Sequence, residues 1–156
     1  MHLLFVCTGN TCRSPLAEAI ARRLVTERAL GVDVSSAGTS AWDGSPASDG
    51  AILVGLERSL DLSTHRARTL TSERVADADL ILCMGPHHLE RALALGGDGK
   101  SFMLTDYAEG VATGRAISDP FGGELDGYRN TADELELLMG RVVARLGAGG
   151  SSAGAE

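Results

Sequence analysis

The residues of this chain that could do chemistry are concentrated in one short stretch near its start. Cys7 and Arg13 stand at the two ends of that stretch, with Gly9 and Asn10 between them. A cysteine thiolate is a nucleophile, and a guanidinium can bind two oxygens of one phosphoryl group. The backbone amides of a tight loop that opens into a helix would complete a site for a dianion. The set predicts cysteine-dependent hydrolysis of phosphate monoesters.

The residues next to the cysteine and the arginine admit more than one role. Ser14 is by type either a helix N-cap or a hydroxyl donor to the Cys7 thiolate. Asn10 tolerates left-handed backbone and can tie the loop together through its amide. Cys12 could trap an oxidised Cys7 as a disulfide, or it could be a small loop residue with no redox role. The predicted substrate-binding loop comprises Thr8, Gly9, Asn10, Thr11, Cys12 and Ser14.

A phosphatase also needs an acid to protonate its leaving group, and Asp119 is the candidate. It lies in the turn-forming stretch Ser118–Gly123, where a loop carboxyl could reach the open side of a pocket. An ordinary Asp-Pro turn explains the same residues without catalysis. The histidines His65, His87 and His88 lack metal-ligand spacing, so neither a metal nor a cofactor is expected.

The elements that must position these residues follow from alternating apolar and helical patterns. The predicted strands are Leu3–Val6, Val32–Ser36, Leu80–Met84 and Ser101–Leu104. The predicted helices are Pro15–Glu27, Ser48–Leu60, Ser72–Asp77, Pro86–Leu95 and one that starts at the apparent capping box Thr131–Glu134. The alternation predicts an α/β fold: one doubly wound domain whose four-stranded parallel sheet is flanked by helices. Ligands bind at the carboxyl ends of such strands, where Cys7 lies.

Length and composition bound the remaining possibilities. The chain has 156 residues. Its length and composition predict one domain over 1–146 and a Gly/Ala/Ser-rich tail over 147–156. A net charge of −7 argues against a nucleic-acid partner, and no apolar stretch is long enough for a membrane span. Three cysteines do not make a disulfide framework, and the first residues do not resemble a signal peptide. A cytoplasmic protein is expected, with Cys83 as a core residue.

The order and spacing of these stretches resemble the low-molecular-weight protein tyrosine phosphatases. The similar stretches are Cys7–Ser14, Pro15–Glu18, Ser36–Gly38, Leu80–Met84 and Asp119–Phe121, and the resemblance extends to about Leu146. It implies that Cys7 is the nucleophile, Arg13 the phosphate clamp and Asp119 the general acid. It also implies a phosphorylated protein as substrate, and we expect a monomer.

The resemblance assigns three further residues. It implies that Ser36 supports Asn10, and that Trp42 lies on a pocket wall opposite the loop of Phe121. An aromatic wall suits a phosphotyrosine ring, although a guanidinium stacks on it as well.

One position differs between the tyrosine phosphatases and the arginine phosphatases of this family. Tyrosine phosphatases usually carry an aliphatic residue where this chain has Thr11, which is similar to the bacterial protein-arginine phosphatases. We therefore favour phosphoarginine as the substrate, with phosphotyrosine as the alternative.

Two hypotheses from other functional classes are an FMN-binding electron carrier of the flavodoxin type and an arsenate reductase. The first leaves Cys7 and Arg13 without a role, and the second needs a relay of further cysteines, for which only Cys83 is available.

Overall fold

A parallel sheet forms the centre of the molecule. The computed structural model describes the backbone of residues 1–155 and the side chains of residues 1–148. The strands are β1 (His2–Cys7), β2 (Asp33–Gly38), β3 (Leu80–Cys83) and β4 (Ser101–Met103). They form one four-stranded sheet in the order β2-β1-β3-β4, and all neighbours are parallel. The predicted α/β fold with four parallel strands is confirmed.

The strand order places the candidate nucleophile at a crevice. The chain leaves β1 toward β2 on one side and later adds β3 on the other side of β1. Such a reversal of direction opens a crevice at the carboxyl ends of the two central strands. Cys7 is the last residue of β1, so it lies at the place where this class of sheet binds its ligands.

Six helices connect and cover the strands in the part of the chain that the structure describes. They are α1 (Arg13–Glu27), α2 (Asp49–Glu57), α3 (Ser72–Asp77), α4 (Pro86–Ala94), α5 (Leu104–Glu109) and α6 (Leu125–Ala155). The sequence patterns did not predict α5. In the described part of the chain, no helix is long and apolar enough to cross a membrane.

The predicted start of the last helix is wrong. Helix α6 begins at Leu125, so Thr131 lies inside the helix and caps nothing. Tyr128, Thr131, Ala132 and Leu135 are all buried, and this spacing places them on one helical face. The buried face thus begins before the apparent capping box, and packing extends the helix toward its N-terminus. The Thr131 hydroxyl instead donates to the Ser118 carbonyl oxygen at 3.4 Å.

The stretch predicted to be a tail overlaps the end of this helix. The bounds of α6 include residues 147–155. The side chains of residues 149–156 lie outside the described part of the chain. The division into a domain over 1–146 and a tail over 147–156 stays a prediction.

The sheet separates two buried clusters of side chains. Successive side chains of a strand point to opposite faces, so Leu3, Phe5 and Cys7 pack with α1 and α6. Val6 and Cys83 pack on the other face, against residues of α3 and α4. Because both faces of β1 and β3 are covered, these strands are continuous apolar runs in the sequence.

Candidate active site

The predicted catalytic residues meet in one cavity beyond the carboxyl end of β1. The cavity has a volume of about 210 Å³. Its lining residues are Cys7, Thr8, Gly9, Thr11, Cys12, Arg13, Asp119 and Phe121. All but the last two lie in the segment from the last residue of β1 to the first residue of α1, which we call the catalytic loop (residues 7–13). The fold therefore brings Asp119 to this loop across most of the length of the chain.

The Cys7 thiol is held by a directional chain of hydrogen bonds. The Asn10 side-chain amide donates to the Ser14 hydroxyl oxygen at 2.8 Å, and that oxygen lies 2.9 Å from Cys7 Sγ. An amide nitrogen can only donate, so Ser14 accepts from Asn10 and its own proton is free for the sulfur. The Ser14 hydroxyl can therefore donate to the Cys7 sulfur. The N-cap of α1 is Cys12, so Ser14 lies in the first turn and the alternative of Ser14 as N-cap is wrong.

Asn10 is the centre of this support. Its backbone is left-handed, with φ of 57°, and its side chain is fully buried. Its amide nitrogen also donates to Ser36 Oγ at 2.9 Å, and Ser36 in turn donates to Glu18 Oε1 at 2.6 Å. The Asn10 side-chain oxygen accepts from the backbone N–H of Arg68 at 3.0 Å. Both polar atoms of the Asn10 side chain thus have hydrogen-bond partners. These hydrogen bonds hold the catalytic loop in one conformation.

Two residues that support the loop were not assigned a role from the sequence. The His65 ring donates through Nε2 to the Asn10 carbonyl oxygen at 2.8 Å. Glu18 ends the hydrogen-bond chain through Ser36 and forms an ion pair with Arg22 at 2.9 Å. No local pattern marks His65, because its partner is far away in the sequence.

Gly38 is a third supporting residue, and it acts through its lack of a side chain. It ends β2 and pairs with Cys7 in the sheet register. A Cβ atom at this position would lie 2.4 Å from the Thr8 carbonyl oxygen and 2.9 Å from the Asn10 backbone nitrogen. The catalytic loop can therefore approach β2 this closely only beside glycine.

Arg13 connects the catalytic loop to the loop that carries Asp119. Its side chain is buried; Nη1 donates to the Ile117 carbonyl oxygen at 3.1 Å, and Nη2 lies 3.5 Å from Asp119 Oδ2. A cation in the first turn of α1 is disfavoured by the helix dipole, so it needs an anionic partner. Asp119 provides one, and the cavity leaves room for a second.

Asp119 lies at the exposed rim of the cavity. Its side chain is 51% exposed, and its Oδ1 accepts from the backbone N–H of Phe121 at 3.0 Å. The backbone of its loop is anchored by Ile117, whose N–H donates to the Met84 carbonyl oxygen at 2.8 Å. A carboxyl group at this place faces both the cavity and solvent.

Cys12 lines the cavity, and its thiol is close to two side chains outside the catalytic loop. Its thiol lies 3.1 Å from Ser48 Oγ and 3.8 Å from the Tyr128 hydroxyl. Cys7, Cys12 and Cys83 are all free thiols. A redox role of Cys12 stays a prediction.

Thr11 lines the cavity with a hydroxyl that has only a weak partner among the described residues. That partner is Cys12 Sγ, at 3.8 Å. The hydroxyl is therefore available to a polar group of a substrate.

The two predicted aromatic walls differ in their placement. Phe121 lines the cavity although 69% of its surface is exposed. Trp42 is 84% exposed and does not line the cavity. A role of Trp42 as a wall opposite Phe121 stays a prediction.

The third cysteine cannot act with the other two. Cys83 is buried on the face of the sheet opposite to Cys7 and Cys12. Burial raises the pKa of the Cys83 thiol to about 12, so it is not ionised near neutral pH. A relay of thiols through Cys83, as an arsenate reductase would need, is incompatible with this placement.

Known proteins are similar to this chain over almost its whole length. The family described as low molecular weight phosphotyrosine protein phosphatase matches residues 2–151. The chain is 38% identical over 148 residues to a protein-arginine-phosphatase of Bacillus subtilis, spanning 94% of this chain and 97% of that relative. It is 36% identical over 143 residues to the low molecular weight protein-tyrosine-phosphatase PtpB of Staphylococcus haemolyticus, spanning 91% and 97% of the two chains.

A solved structure shows the same arrangement of the chain. It is a cysteine-to-serine mutant of the arginine phosphatase YwlE with a phosphorylated active-site serine. The TM-score is 0.87 at 37% sequence identity, over 94% of this chain and 95% of that one. This chain resembles these proteins in both sequence and fold, and its cavity contains a cysteine. It therefore belongs to the low molecular weight phosphotyrosine protein phosphatase family.

Proposed function

We propose that this protein hydrolyses phosphoarginine on proteins through a phosphocysteine intermediate. The observation that carries the proposal is the shared cavity of Cys7, Arg13 and Asp119, which the Thr11 hydroxyl also lines. The first three residues account for the chemistry, and Thr11 bears on the choice of substrate. One of the relatives named above is an arginine phosphatase, and so is the protein in the solved structure. Both support this proposal.

In the first step, the Cys7 thiolate attacks phosphorus in line with the leaving group. A sulfur–phosphorus bond forms while the bond from phosphorus to the leaving nitrogen or oxygen breaks. Asp119 supplies the proton that the leaving atom takes up. The hydroxyl of Ser14, oriented by Asn10, donates to the sulfur before the attack.

Arg13 binds the phosphoryl group during this step. The Ile117 carbonyl orients its guanidinium through Nη1, which leaves other N–H groups for two phosphoryl oxygens. The backbone amides of the catalytic loop bind the oxygens from the other side. Because these donors are in place before substrate arrives, they stabilise the developing charge without reorganisation.

In the second step, a water molecule attacks the phosphocysteine. The Asp119 carboxylate, which lost its proton in the first step, takes a proton from the water. The sulfur–phosphorus bond breaks, inorganic phosphate leaves, and Cys7 returns as a thiolate. Asp119 ends the cycle protonated, as it began.

Thr11 is the residue that favours phosphoarginine. Its hydroxyl can hydrogen-bond the polar guanidino group of phosphoarginine or the attacking water, which an aliphatic side chain cannot. Phosphotyrosine is the second candidate, because the exposed ring of Phe121 at the cavity suits an aromatic leaving group.

The test compares phosphoarginine, phosphotyrosine and phosphoserine peptides of one sequence, hydrolysed by the same preparation. We expect kcat/KM to be highest for the phosphoarginine peptide and lowest for the phosphoserine peptide. A higher kcat/KM for the phosphotyrosine peptide would overturn the proposed preference. No turnover of any of the three would overturn the phosphatase activity itself.

The proposed setting is a monomer in the cytoplasm that acts on phosphorylated proteins. The three free thiols support a reducing compartment. Light scattering of the purified protein tests the monomer, and fractionation of cells tests the location. An electron carrier that binds FMN is not supported, because that function uses neither Cys7 nor Arg13, and the relatives named above are phosphatases.

A further inference from the structure

The mechanism above does not use a fully buried histidine that touches the catalytic loop. His88 lies in the first turn of α4. Its Nε2 lies 2.8 Å from Thr8 Oγ1, and its Nδ1 is buried with no hydrogen-bond partner among the described residues. Thr8 lines the cavity directly after the nucleophile.

The protonation of His88 follows from these contacts. Burial, which has the largest effect, and the neighbouring charges of His87 and Arg13 together lower the pKa of His88 to about 3, against the opposing effect of Asp119. The ring is therefore neutral near pH 7 and carries a single N–H. A buried N–H without a partner is rarer than a buried acceptor without one, which places the proton on Nε2. His88 then donates to Thr8 Oγ1.

This direction determines what the Thr8 hydroxyl can do. An oxygen that accepts from His88 keeps its own proton for another acceptor. Thr8 Oγ1 has no second hydrogen-bond partner among the described residues. Thr8 lines the cavity, and the acceptors that a phosphorylated substrate brings there are the phosphoryl oxygens.

We propose that His88 is a positioning residue that directs the Thr8 hydroxyl proton onto a phosphoryl oxygen in the cavity. The proposal rests on the proposed function in one respect, because it needs the phosphoryl group to occupy this cavity. It does not depend on whether the phosphorylated residue is arginine or tyrosine.

The test is a double-mutant cycle that measures the affinity for inorganic phosphate. Thr8→Val removes the hydroxyl at constant shape, and His88→Leu removes the donor. Each change should weaken phosphate binding, measured by calorimetry and as an inhibition constant, by about three- to tenfold. The double variant should lose no more than either single variant, because both changes remove the same bond.

Two conservative variants separate positioning from general support of the fold. Thr8→Ser keeps the hydroxyl, and His88→Gln places an amide N–H near the position of Nε2. Both should bind phosphate within about twofold of wild type. Equal phosphate affinity of Thr8→Val and Thr8→Ser would overturn the proposal, and this arm remains decisive if His88→Leu does not fold. Losses that add in the double variant would also overturn it, because His88 would then act independently of Thr8.

The readout keeps this proposal distinct from the proposed function. Phosphate binding by calorimetry needs no turnover, so it reports on Thr8 and His88 even if no phosphopeptide is hydrolysed. A loss confined to kcat/KM, with unchanged phosphate affinity, would contradict the proposed contact with a phosphoryl oxygen.

Discussion

The two regions that supply the proposed catalytic groups are built in opposite ways. The catalytic loop is held from behind by buried side chains, with Asn10, Ser14 and Ser36 all fully buried. The loop of residues 111–124, which carries Asp119, is exposed except at Ile117 and Pro120. We call this second region the acid loop.

The contrast matches the demands on each region. A nucleophile and its anion-binding amides must stand in place before the substrate arrives, because their reorganisation would raise the barrier. An acid at the rim must let the substrate enter and the product leave, which a rigid, buried loop would hinder. We therefore infer that rigidity is concentrated behind Cys7, and that access is left to the region around Asp119.

The largest effect is expected from the rigid region. Cys7→Ser should abolish turnover while inorganic phosphate still binds, because the donors around the cavity remain. Steady-state rates and calorimetry measure the two properties on one sample. Retention of about a tenth of the wild-type rate would contradict the covalent mechanism.

The acid loop should give a smaller and substrate-dependent effect. Asp119→Asn should slow the hydrolysis of substrates with poor leaving groups by about 10²–10⁴-fold, since no other carboxyl is among the described residues that line the cavity. The loss should shrink for p-nitrophenyl phosphate, whose leaving group departs without a proton. Equal losses on both substrates would leave Asp119 as a turn residue only.

A change at the mouth of the cavity should alter the choice of substrate. Thr11→Ile restores an aliphatic side chain and removes the hydroxyl. The ratio of kcat/KM for phosphoarginine over phosphotyrosine should fall by roughly ten- to a hundredfold, the size of one well-placed polar contact. Thr11→Ser is the matched control and should keep the ratio. A ratio unchanged within about threefold in Thr11→Ile would favour the tyrosine phosphatase alternative.

The stability of the two regions should differ in the same sense. Ser36→Ala removes one of the two hydroxyl groups that accept from the Asn10 amide nitrogen, and it removes the hydroxyl that donates to Glu18, so the free energy of unfolding should fall by about 1–3 kcal/mol. Thr113→Ala is the matched change in the acid loop, where an exposed hydroxyl bonds Asp106 at 2.8 Å. Its cost should stay below about 1 kcal/mol. Urea unfolding of both variants measures the difference, and equal losses would remove the contrast.

The smallest effect concerns the pH dependence of stability. The pKa of His88 is about 3 in the folded protein, below its ordinary value of 6.5. Below pH 6.5 the unfolded chain takes up a proton on His88 that the folded protein does not, so the free energy of unfolding falls as the pH falls.

The measurement is urea unfolding between pH 6.5 and pH 5, above the range in which carboxyl groups with ordinary or lowered pKa values titrate. The slope of stability against pH should be shallower in His88→Leu than in wild type. Identical slopes would mean that His88 is accessible to protons in the folded protein.

The local parts of the site were predictable from the sequence. A strand, a glycine-containing loop and a helix are consecutive between Leu3 and Glu27, so the placement of Cys7 and Arg13 depends on residues a few positions apart. The alternation of strands and helices was likewise enough for the parallel sheet, because short connections and right-handed crossovers leave few topologies. Asp119 was a candidate acid from its turn-forming stretch, with an ordinary Asp-Pro turn as the alternative, and the family resemblance then implied the acid role.

The parts that depended on distant contacts were not predictable in this way. The local sequence predicts that Thr131 is a helix cap. The buried face of α6 includes Tyr128, so the helix begins earlier and Thr131 lies inside it. His65 and His88 carried no signal beyond the absence of metal spacing, because their partners lie on the catalytic loop.

By itself, the sequence determined the class of the fold and predicted the chemistry at Cys7, since both depend on the types and spacing of residues over short stretches. Only the tertiary structure decided that Asp119 lines the same cavity as Cys7, which histidines support the loop, and that Cys83 lies on the other side of the sheet. The physical reason is that these contacts join residues far apart in the chain, and packing of the helices against the sheet selects them.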